Sequence, residues 1–318
     1  MLLPRIFRPP KRDPDEKGAP PQRAGEVLLT SRAVRLLDRL QLRASRDLPG
    51  QAIGQRSSHR RKPATEFREH RAYVPGDDVR FVDWRASARH EHIFVRQGEQ
   101  PKETTVFLLL DCSGSMAWGQ PPKHTAQLSL AAALGYLTLA RGDRLMVFPF
   151  GSRLVQPFSP TTGKGQVPSL LQYLRSLPFG AEADLLSAVR RFSRGVPYGG
   201  LVFLLSDLIG VQDLIPVLNL LPAPTWETVV LHLLHPAELN PALNGDLMLV
   251  DHENFQSANY DITPVALQNY KVRMEEWRTS LDLACVQKKA LYYQIPTDWS
   301  FEREILAHLR ASRVVIPL

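Results

Sequence analysis

Two runs of apolar residues most constrain the fold of this chain. Residues 106–110 read Val-Phe-Leu-Leu-Leu and residues 201–205 read Leu-Val-Phe-Leu-Leu, and a polar segment follows each run. Continuous apolar runs of this length are typical of strands buried on both faces of a parallel sheet. From residue 104 onward, such runs alternate with segments of helical periodicity. The alternation predicts an α/β fold built on a doubly wound, mostly parallel sheet.

The same pattern places the individual strands and helices. Further strands are predicted at residues 145–150, 228–234, 247–250 and 291–295, with a short edge strand at 154–155. Helices are predicted at residues 123–140, 166–177, 184–194, 211–220, 264–287 and 301–310. Sheets of this kind bind ligands at the carboxyl ends of their strands, so a binding site is expected in the loops that follow the strands.

The first 103 residues depart from this pattern. Residues 1–25 contain six prolines, mixed charges and few apolar residues, a composition that predicts a disordered tail. Apolar residues recur at mostly helical spacing over residues 26–46, and residues 51–100 contain short strand-like runs around a Pro-Gly turn. We therefore expect a tail at 1–25, a helix with a small mixed subdomain at 26–103, and the α/β domain at 104–318.

Composition excludes several classes of protein. Of the 318 residues, 44% are hydrophobic and 22% are charged, which is close to the globular average and excludes wholesale disorder. Two cysteines exclude a disulfide scaffold and a four-cysteine zinc site. No stretch approaches about eighteen uncharged apolar residues, so no membrane span is expected. These features predict a soluble, cytoplasmic protein.

Charge is distributed unevenly along the chain. The net charge is +7, and the first 100 residues hold 21 Lys and Arg against 13 Asp and Glu, so the whole basic excess is N-terminal. Such asymmetry fits either a nucleic-acid or membrane-surface arm or a solvated, arginine-rich surface. The basic segments lack interleaved aromatic residues and any known nucleic-acid module. We therefore favour the solvated surface and expect no nucleic-acid partner.

The polar segment after the first apolar run carries the most informative chemistry. Asp111, Ser113 and Ser115 follow that strand, and Gly114 allows a tight loop. If all three side chains turn toward the strand ends, they offer one carboxylate and two hydroxyl groups, which suit a hard cation such as Mg²⁺. The same pattern also fits an ordinary polar turn or a helix cap.

A second carboxylate follows the other apolar run. Asp207 comes after Ser206 at the end of the predicted strand 201–205. If both strands are central and parallel, Asp111 and Asp207 emerge at the same edge, where two acids repel each other unless a cation lies between them. Each acid could instead cap the helix that follows it. The favoured interpretation is a metal site.

This arrangement resembles the von Willebrand factor A fold, whose metal-ion-dependent adhesion site uses an Asp-x-Ser-x-Ser loop, a threonine in a later loop and an aspartate after a further strand. An upstream motif is more specific. Residues 67–89 follow the pattern Phe-x-x-x-Arg-x-Tyr-x-Pro-Gly-Asp-Asp-x-Arg-x-x-Asp-Trp-x-x-x-Ala-Arg. This pattern is similar to the signature of the bacterial family called domain of unknown function 58, and the resemblance runs from about residue 26 to the C-terminus.

The resemblance implies roles for particular residues. It implies that the metal ligands are Asp111, Ser113, Ser115 and Asp207. The family loop usually reads Gly-Gly-Thr-Asp, whereas this chain has Ala183 at the threonine position, so one hydroxyl ligand is missing and the Mg²⁺ site could be weak or empty. Glu182 or Asp184 could support the ion, directly or through water, and Asp184 could equally be only the cap of the following helix.

The family signature also contains a set of charged and aromatic residues, namely Arg80, Asp83, Trp84, Arg85 and Arg89. One interpretation is a surface that contacts an anion or a partner. The favoured one is structural: an internal Arg–Asp network around the Pro-Gly turn, with Trp84 filling the junction between the subdomains.

In function, the resemblance implies a protein-interaction module and not an enzyme. It implies a MoxR-type AAA+ ATPase as partner, the pair acting like a chaperone in the assembly or maturation of an unknown client protein. The loops near Trp118, Glu182 and Ile209 are the expected source of specificity. Two alternatives stay open. One is a Mg²⁺-dependent phosphoester hydrolase, for which the sequence shows no general base, and the other is nucleic-acid binding through the basic N-terminal region.

Overall fold

The computed structural model describes residues 28–43, 66–74, 79, 82–89, 92–99, 104–151, 155–180, 182–243, 245–250 and 257–318. Tertiary contacts divide the chain into two units: Met1–Gly50 together with Thr104–Leu318, and Gln51–Glu103. The described residues 28–43, which were predicted to belong with the mixed subdomain, group instead with the larger unit. The predicted tail at 1–25 lies outside the described residues.

Strands and helices are numbered here in chain order. The strands are β1 (Leu40–Leu42), β2 (Glu66–Ala72), β3 (Phe94–Glu99), β4 (Thr105–Asp111), β5 (Arg144–Phe150), β6 (Phe158–Thr162), β7 (Gly200–Ser206), β8 (Trp226–Leu234), β9 (Gly245–Val250), β10 (Ser257–Ile262), β11 (Leu291–Pro296) and β12 (Val315–Pro317). The α-helices are α1 (Ser31–Leu37), α2 (Trp84–Ser87), α3 (Lys123–Ala140), α4 (Val167–Ser176), α5 (Leu185–Gly195), α6 (Ile215–Leu218), α7 (Pro236–Leu239), α8 (Pro264–Gln287) and α9 (Leu306–Ala311). Ser115–Ala117 and Lys164–Gln166 form short 3-10 helices, and Phe301–Ile305 forms a π-helical turn.

A six-stranded sheet forms the centre of the larger unit. Its strand order is β11–β8–β7–β4–β5–β6, and all neighbouring strands are parallel except β5 and β6. Every residue of the two central strands, β4 and β7, is buried, as expected for strands covered on both faces. The topology confirms the predicted doubly wound, mostly parallel α/β fold.

Helices cover both faces of this sheet. Successive residues of a strand point to opposite sides, so β4 contributes side chains to two separate cores. Val106, Leu108 and Leu110 of β4 belong to a core cluster with α3 and α4. Phe107 and Leu109 belong to a second core cluster with α5, α6 and α8 on the other face. Within the described ranges, none of the helices is both long and apolar enough to cross a membrane.

The margins of the sheet differ from the sequence-based prediction. The N-terminal helix expected at 26–46 is the short α1, after which the chain forms β1 and pairs antiparallel with β12. The edge strand is β6 and not residues 154–155, of which residue 154 lies outside the described ranges. The helix expected at 211–220 is reduced to α6, and β9 pairs with β10, a strand that was not predicted. A short strand with a distant partner, such as β1, and a largely polar strand, such as β10, show no local hydrophobic periodicity. Sequence periodicity therefore could not predict these strands.

The smaller unit contains the antiparallel pair β2–β3 and the single-turn helix α2. Asp83 caps α2, because its Oδ1 accepts hydrogen bonds from the backbone N–H groups of Arg85 and Ala86 at 3.0 and 3.1 Å. The Ser87 hydroxyl links the helix to β3, since it accepts a 2.9 Å hydrogen bond from the N–H of Phe94. Asp83 therefore has a structural role in ordering this turn.

The other signature residues lie nearer the surface. Trp84 is 66% exposed, and its place at the junction between the subdomains stays a prediction. It is the first residue of the turn that Asp83 caps, and so short a helix buries none of its residues. Arg85 and Arg89 are also exposed, and Arg80 lies outside the described residues.

Candidate functional site

Asp111 and Asp207 lie at the same edge of the sheet because β4 and β7 are parallel neighbours. The strand register pairs Leu110 with Leu205, so the residues that follow them leave the sheet side by side. The Ser206 hydroxyl donates a hydrogen bond to Asp111 Oδ2 at 2.5 Å. The two strand ends are thus joined by side chains as well as by the sheet.

The loop after β4 folds back and groups its oxygen atoms. Asp111 Oδ1 accepts a hydrogen bond from the N–H of Ser113 at 2.9 Å. The hydroxyl oxygens of Ser113 and Ser115 are 2.8 Å apart. All three side chains are buried. The structure therefore brings together the carboxylate and the two hydroxyl groups that the sequence placed in one loop.

A lysine that sequence analysis missed completes this cluster. Lys123 is fully buried, and its Nζ donates to Asp207 Oδ2 at 2.6 Å and to Glu238 Oε1 at 2.5 Å. The second oxygen of Asp207 accepts from the N–H of Ile209 at 3.0 Å. The second oxygen of Glu238 accepts from the N–H of His235 at 2.8 Å. We call Lys123, Asp207 and Glu238 the buried ion triad.

Burial and charge shift the pKa values of the two aspartates in opposite directions. Burial, and then the negative charge of Asp207, raise the pKa of Asp111 to about 6. Burial also opposes ionisation of Asp207, but the charge and hydrogen bond of Lys123 outweigh it and hold the pKa of Asp207 below its ordinary value. Burial disfavours the charged form of Lys123, yet its two carboxylate partners outweigh this and raise its pKa. The ammonium group is therefore a permanent positive charge at neutral pH.

The side chain of Gln127, in α3, links the ends of the two central strands by hydrogen bonds. Its side chain is fully buried, and its Nε2 donates to the carbonyl oxygens of Asp111 and Leu205, both at 3.0 Å. One amide group thus hydrogen-bonds two backbone acceptors, at the end of β4 and near the end of β7.

His232 of β8 supports the same edge from the other side. Its Nε2 lies 2.8 Å from the carbonyl oxygen of Asp207, which can only accept, so this nitrogen carries the proton. Its Nδ1 accepts from the Tyr292 hydroxyl at 2.5 Å. Burial lowers the pKa of His232 to about 4, so the imidazole is neutral and both of its nitrogens are occupied.

The residues predicted to support the metal have other surroundings. Asp184 is the N-cap of α5, since its Oδ1 accepts from the N–H of Ser187 at 3.1 Å and its Oδ2 from the Ser187 hydroxyl at 2.6 Å. Glu182 is exposed, and Ala183 packs against the second core cluster. In the described part of the chain, neither acid forms a hydrogen bond or ion pair with the loop after β4.

Two of the three residues expected to surround the site are joined to it directly. Ile209 contacts Asp207 through the hydrogen bond described above. Trp118 is half-buried, its ring meets the His235 ring edge-on with centroids 5.0 Å apart, and Lys123 Nζ lies 5.6 Å from its centroid. Trp118 therefore stands at the rim of the buried ion triad.

The sequence contains only weak indications of the roles of Lys123, Gln127 and Glu238, which sequence analysis did not single out. Lys123 is the first residue of the predicted helix 123–140, and a cation is disfavoured at this end by the helix dipole. Gln127 is a polar residue in a helix that is apolar on most sides. Glu238 stands three residues after His235 with a proline between them, which the structure shows to be a capping box.

The donor set at this edge suits a hard divalent cation on the side of Asp111. One carboxylate and the hydroxyl groups of Ser113 and Ser115 are oxygen ligands of the kind that Mg²⁺ accepts. Asp207, in contrast, is already paired with the ammonium group of Lys123, whereas Asp111 accepts hydrogen bonds from the uncharged donors Ser113 and Ser206. Across the described ranges, no three His, Cys, Asp or Glu side chains are grouped so as to hold a metal ion. An ion at this edge would therefore need the serine hydroxyls as ligands.

The fold and this edge define a doubly wound α/β protein that carries an Asp-x-Ser-x-Ser loop after a central strand. The model of the family described as protein of unknown function DUF58 matches residues 69–279, more than half of the chain. The chain belongs to the DUF58 family, as its signature motif predicted.

Two mycobacterial relatives are named only as uncharacterized proteins. The uncharacterized protein Rv1480 of Mycobacterium tuberculosis is 27% identical over 213 residues, which cover 65% of this chain and 67% of that protein. The uncharacterized protein Mb1516 of Mycobacterium bovis has the same values.

Solved structures with a related arrangement include von Willebrand factor A domains. The conserved hypothetical protein BatB of Bacteroides thetaiotaomicron is 12% identical with a TM-score of 0.37, and the match covers 66% of this chain and 98% of BatB. The VWA domain of SpRpn10 is 13% identical with a TM-score of 0.37, and the match covers 62% of this chain and 90% of that domain.

Proposed function

We propose that this chain is a protein-interaction module, without catalytic activity of its own, that docks a partner at the sheet edge formed by the loop after β4 and by Asp207. The observation that carries the proposal is the grouping of the oxygens of Asp111, Ser113 and Ser115 at the carboxyl end of a central strand, where sheets of this class bind ligands. Membership of the DUF58 family supports it.

Mg²⁺ is part of this proposal. Asp111, Ser113 and Ser115 would hold the ion, with Asp207 beside them at the end of β7. A bound Mg²⁺ would supply positive charge and a coordination position open to an oxygen ligand, such as a carboxylate of the partner. Ala183 offers no hydroxyl group where the family has threonine, so we expect weak binding.

The partner in this proposal is a MoxR-type AAA+ ATPase in the cytoplasm, and the pair assists the assembly or maturation of a client protein. The support is the family resemblance of the signature motif. Trp118 and Ile209 at the rim would add specificity, because coordination alone accepts any exposed carboxylate.

The alternative of a phosphoester hydrolase has less support at this edge. Hydrolysis needs a general base that can take a proton from water. His232 does not qualify, because its Nε2–H donates to Asp207 and its Nδ1 accepts from Tyr292. Turnover of p-nitrophenyl phosphate with Mg²⁺, lost in Asp111→Ala, would favour the hydrolase over the interaction module.

Affinity capture tests the proposal. The full chain is immobilised and exposed to the purified MoxR-type ATPase of the same organism, with Mg²⁺ or with a chelator. We expect capture with Mg²⁺, and a loss of about tenfold or more with the chelator or with Asp111→Ala. Asp246→Ala, on the exposed start of β9, is the matched control and should behave like the wild type. If the chelator and Asp111→Ala both leave capture intact, the contact is metal-independent, and the smaller unit around residues 80–89 becomes the better candidate interface.

A further inference from the structure

The buried ion triad places a positive charge of the protein itself at the predicted metal site. The side chain of Lys123 has no exposed surface, and those of Asp207 and Glu238 are 2% and 11% exposed. Burial of a lone ammonium group is strongly unfavourable, and two carboxylates at 2.6 and 2.5 Å are what compensates it here. The three groups depend on one another for their charged state.

Local helix preferences do not explain the position of this lysine. Lys123 is the first residue of α3, an 18-residue helix, and no acidic residue lies in its first turn. The positive end of the helix dipole repels a cation there, and acidic residues are the usual occupants of this turn. Lys123 is thus held by tertiary ion pairs against the local preference.

We propose that the ammonium group of Lys123 is the resident cation of this sheet edge, which neutralises Asp207 in place of a metal ion and confines Mg²⁺ to the loop after β4. The confinement of Mg²⁺ rests on the proposed function; the neutralisation of Asp207 does not. Lys123 is a positioning residue in this scheme, since it orients Asp207 and has no surface through which a partner could touch it.

Two observations support separate roles for the two cations, with Lys123 neutralising Asp207 and a divalent ion binding in the loop after β4. Asp207 forms an ion pair with Lys123, while Asp111 accepts hydrogen bonds from the uncharged donors Ser113 and Ser206. The three carboxylates of Asp111, Asp207 and Glu238 exceed the single ammonium by two formal charges, which one divalent cation would balance.

The first test measures thermal stability of the full chain with a chelator present. Lys123→Met keeps the approximate length of the side chain and removes its charge, so it leaves Asp207 and Glu238 buried without a counterion. We expect the melting temperature to fall by at least about 6 °C. The control Lys164→Met removes an exposed ion pair with Asp38 and should change it by less than about 2 °C. Equal effects of the two variants would overturn the proposal.

A double variant distinguishes charge neutralisation from packing. In Lys123→Met with Asp207→Asn, one of the two uncompensated carboxylates is gone and Glu238 remains, so the protein should regain part of the stability that Lys123→Met loses. This variant also decides the matter if Lys123→Met alone does not fold. A double variant no more stable than Lys123→Met would mean that the lysine acts only through packing, and would overturn the proposal.

Mg²⁺ titration followed by melting temperature tests the confinement. In Lys123→Met, Asp207 becomes open to the ion, so Mg²⁺ should raise the melting temperature by more degrees than in the wild type. Equal shifts in both proteins would overturn the confinement. If the wild type shows no Mg²⁺ effect and no Mg²⁺-dependent capture, the proposed function fails, while the result of the double variant still decides the role of Lys123.

Discussion

The Ser206 hydroxyl donates a 2.5 Å hydrogen bond to Asp111 Oδ2, across the boundary between β7 and β4. The other oxygen of Asp111 accepts from the N–H of Ser113 in its own loop. The carboxylate is therefore oriented by β7 and by its own loop at once.

Asp111→Ala should abolish the binding of Mg²⁺. Asp111 supplies the only carboxylate in the loop after β4, and the hydroxyl groups of Ser113 and Ser115 alone are weak ligands for a hard cation. Isothermal titration calorimetry with Mg²⁺ and Mn²⁺ should show weak binding heats for the wild type and none for the variant. Identical heats for the two proteins would rule out a site in this loop, and Asp246→Ala serves as the control on an exposed strand.

Trp118→Ala should weaken capture of the partner without changing Mg²⁺ affinity. The ring is half-buried at the rim of the buried ion triad and contacts His235, but it offers no oxygen ligand. Large aromatic residues at such rims often contribute strongly to binding, so we expect a loss of at least about tenfold in affinity. Surface plasmon resonance measures capture and calorimetry measures Mg²⁺ binding. A parallel loss of both would show that Trp118 organises the loop instead of contacting the partner.

Stability should depend on pH through two groups with opposite signs. The pKa of Asp111 is raised from 3.8 to about 6, so this group stabilises the fold at low pH, and the contribution is lost as pH rises through about 6. The pKa of His232 is lowered from 6.5 to about 4, so its contribution is present above pH 6.5 and is lost as pH falls through about 4. Each amounts to about 3 kcal/mol, so the two nearly cancel in the wild type between about pH 4 and 6.5.

Variants separate these two contributions. As pH falls from about 6.5 to 4, the unfolding free energy of Asp111→Asn should drop more steeply than that of the wild type, and that of His232→Gln less steeply. Urea unfolding at several pH values measures both slopes. His92→Gln, at an exposed position of the smaller unit, is the control. Slopes that match the wild type in both variants would contradict the assignment.

Gly199→Ala should destabilise the fold, whereas Gly195→Ala should not. A Cβ atom at Gly199 would lie 1.7 Å from the carbonyl oxygen of Thr225, and backbone atoms cannot move aside as a flexible side chain can. We expect a loss of about 3 kcal/mol of unfolding free energy. Gly195 ends α5 with open space around it, so alanine there should be neutral or gain up to about 1 kcal/mol. Chemical denaturation of both variants provides the comparison.

The sequence predicted the centre of the fold because that centre is the part with local signals. The apolar runs that became β4 and β7 are buried on both faces, and parallel strands bring Asp111 and Asp207 to one edge. The strand β1 was missed because its partner, β12, lies more than 270 residues away in the chain, and neither strand exceeds three residues.

The candidate site was predicted only in part for a similar reason. The oxygen ligands of the loop after β4 are contiguous in sequence, so their pattern is visible. The buried ion triad draws its three members from α3, the end of β7 and α7, and no spacing rule connects them.

The amide group of Gln127 couples the loop after β4 to the neighbouring strand and to α3. It holds the carbonyl oxygens of Asp111 and Leu205 simultaneously, and it is anchored in a helix that is buried along most of its length. The end of β4, the end of β7 and α3 are therefore linked through one side chain. We expect a displacement of the loop after β4 to be resisted by the buried helix as well as by the sheet.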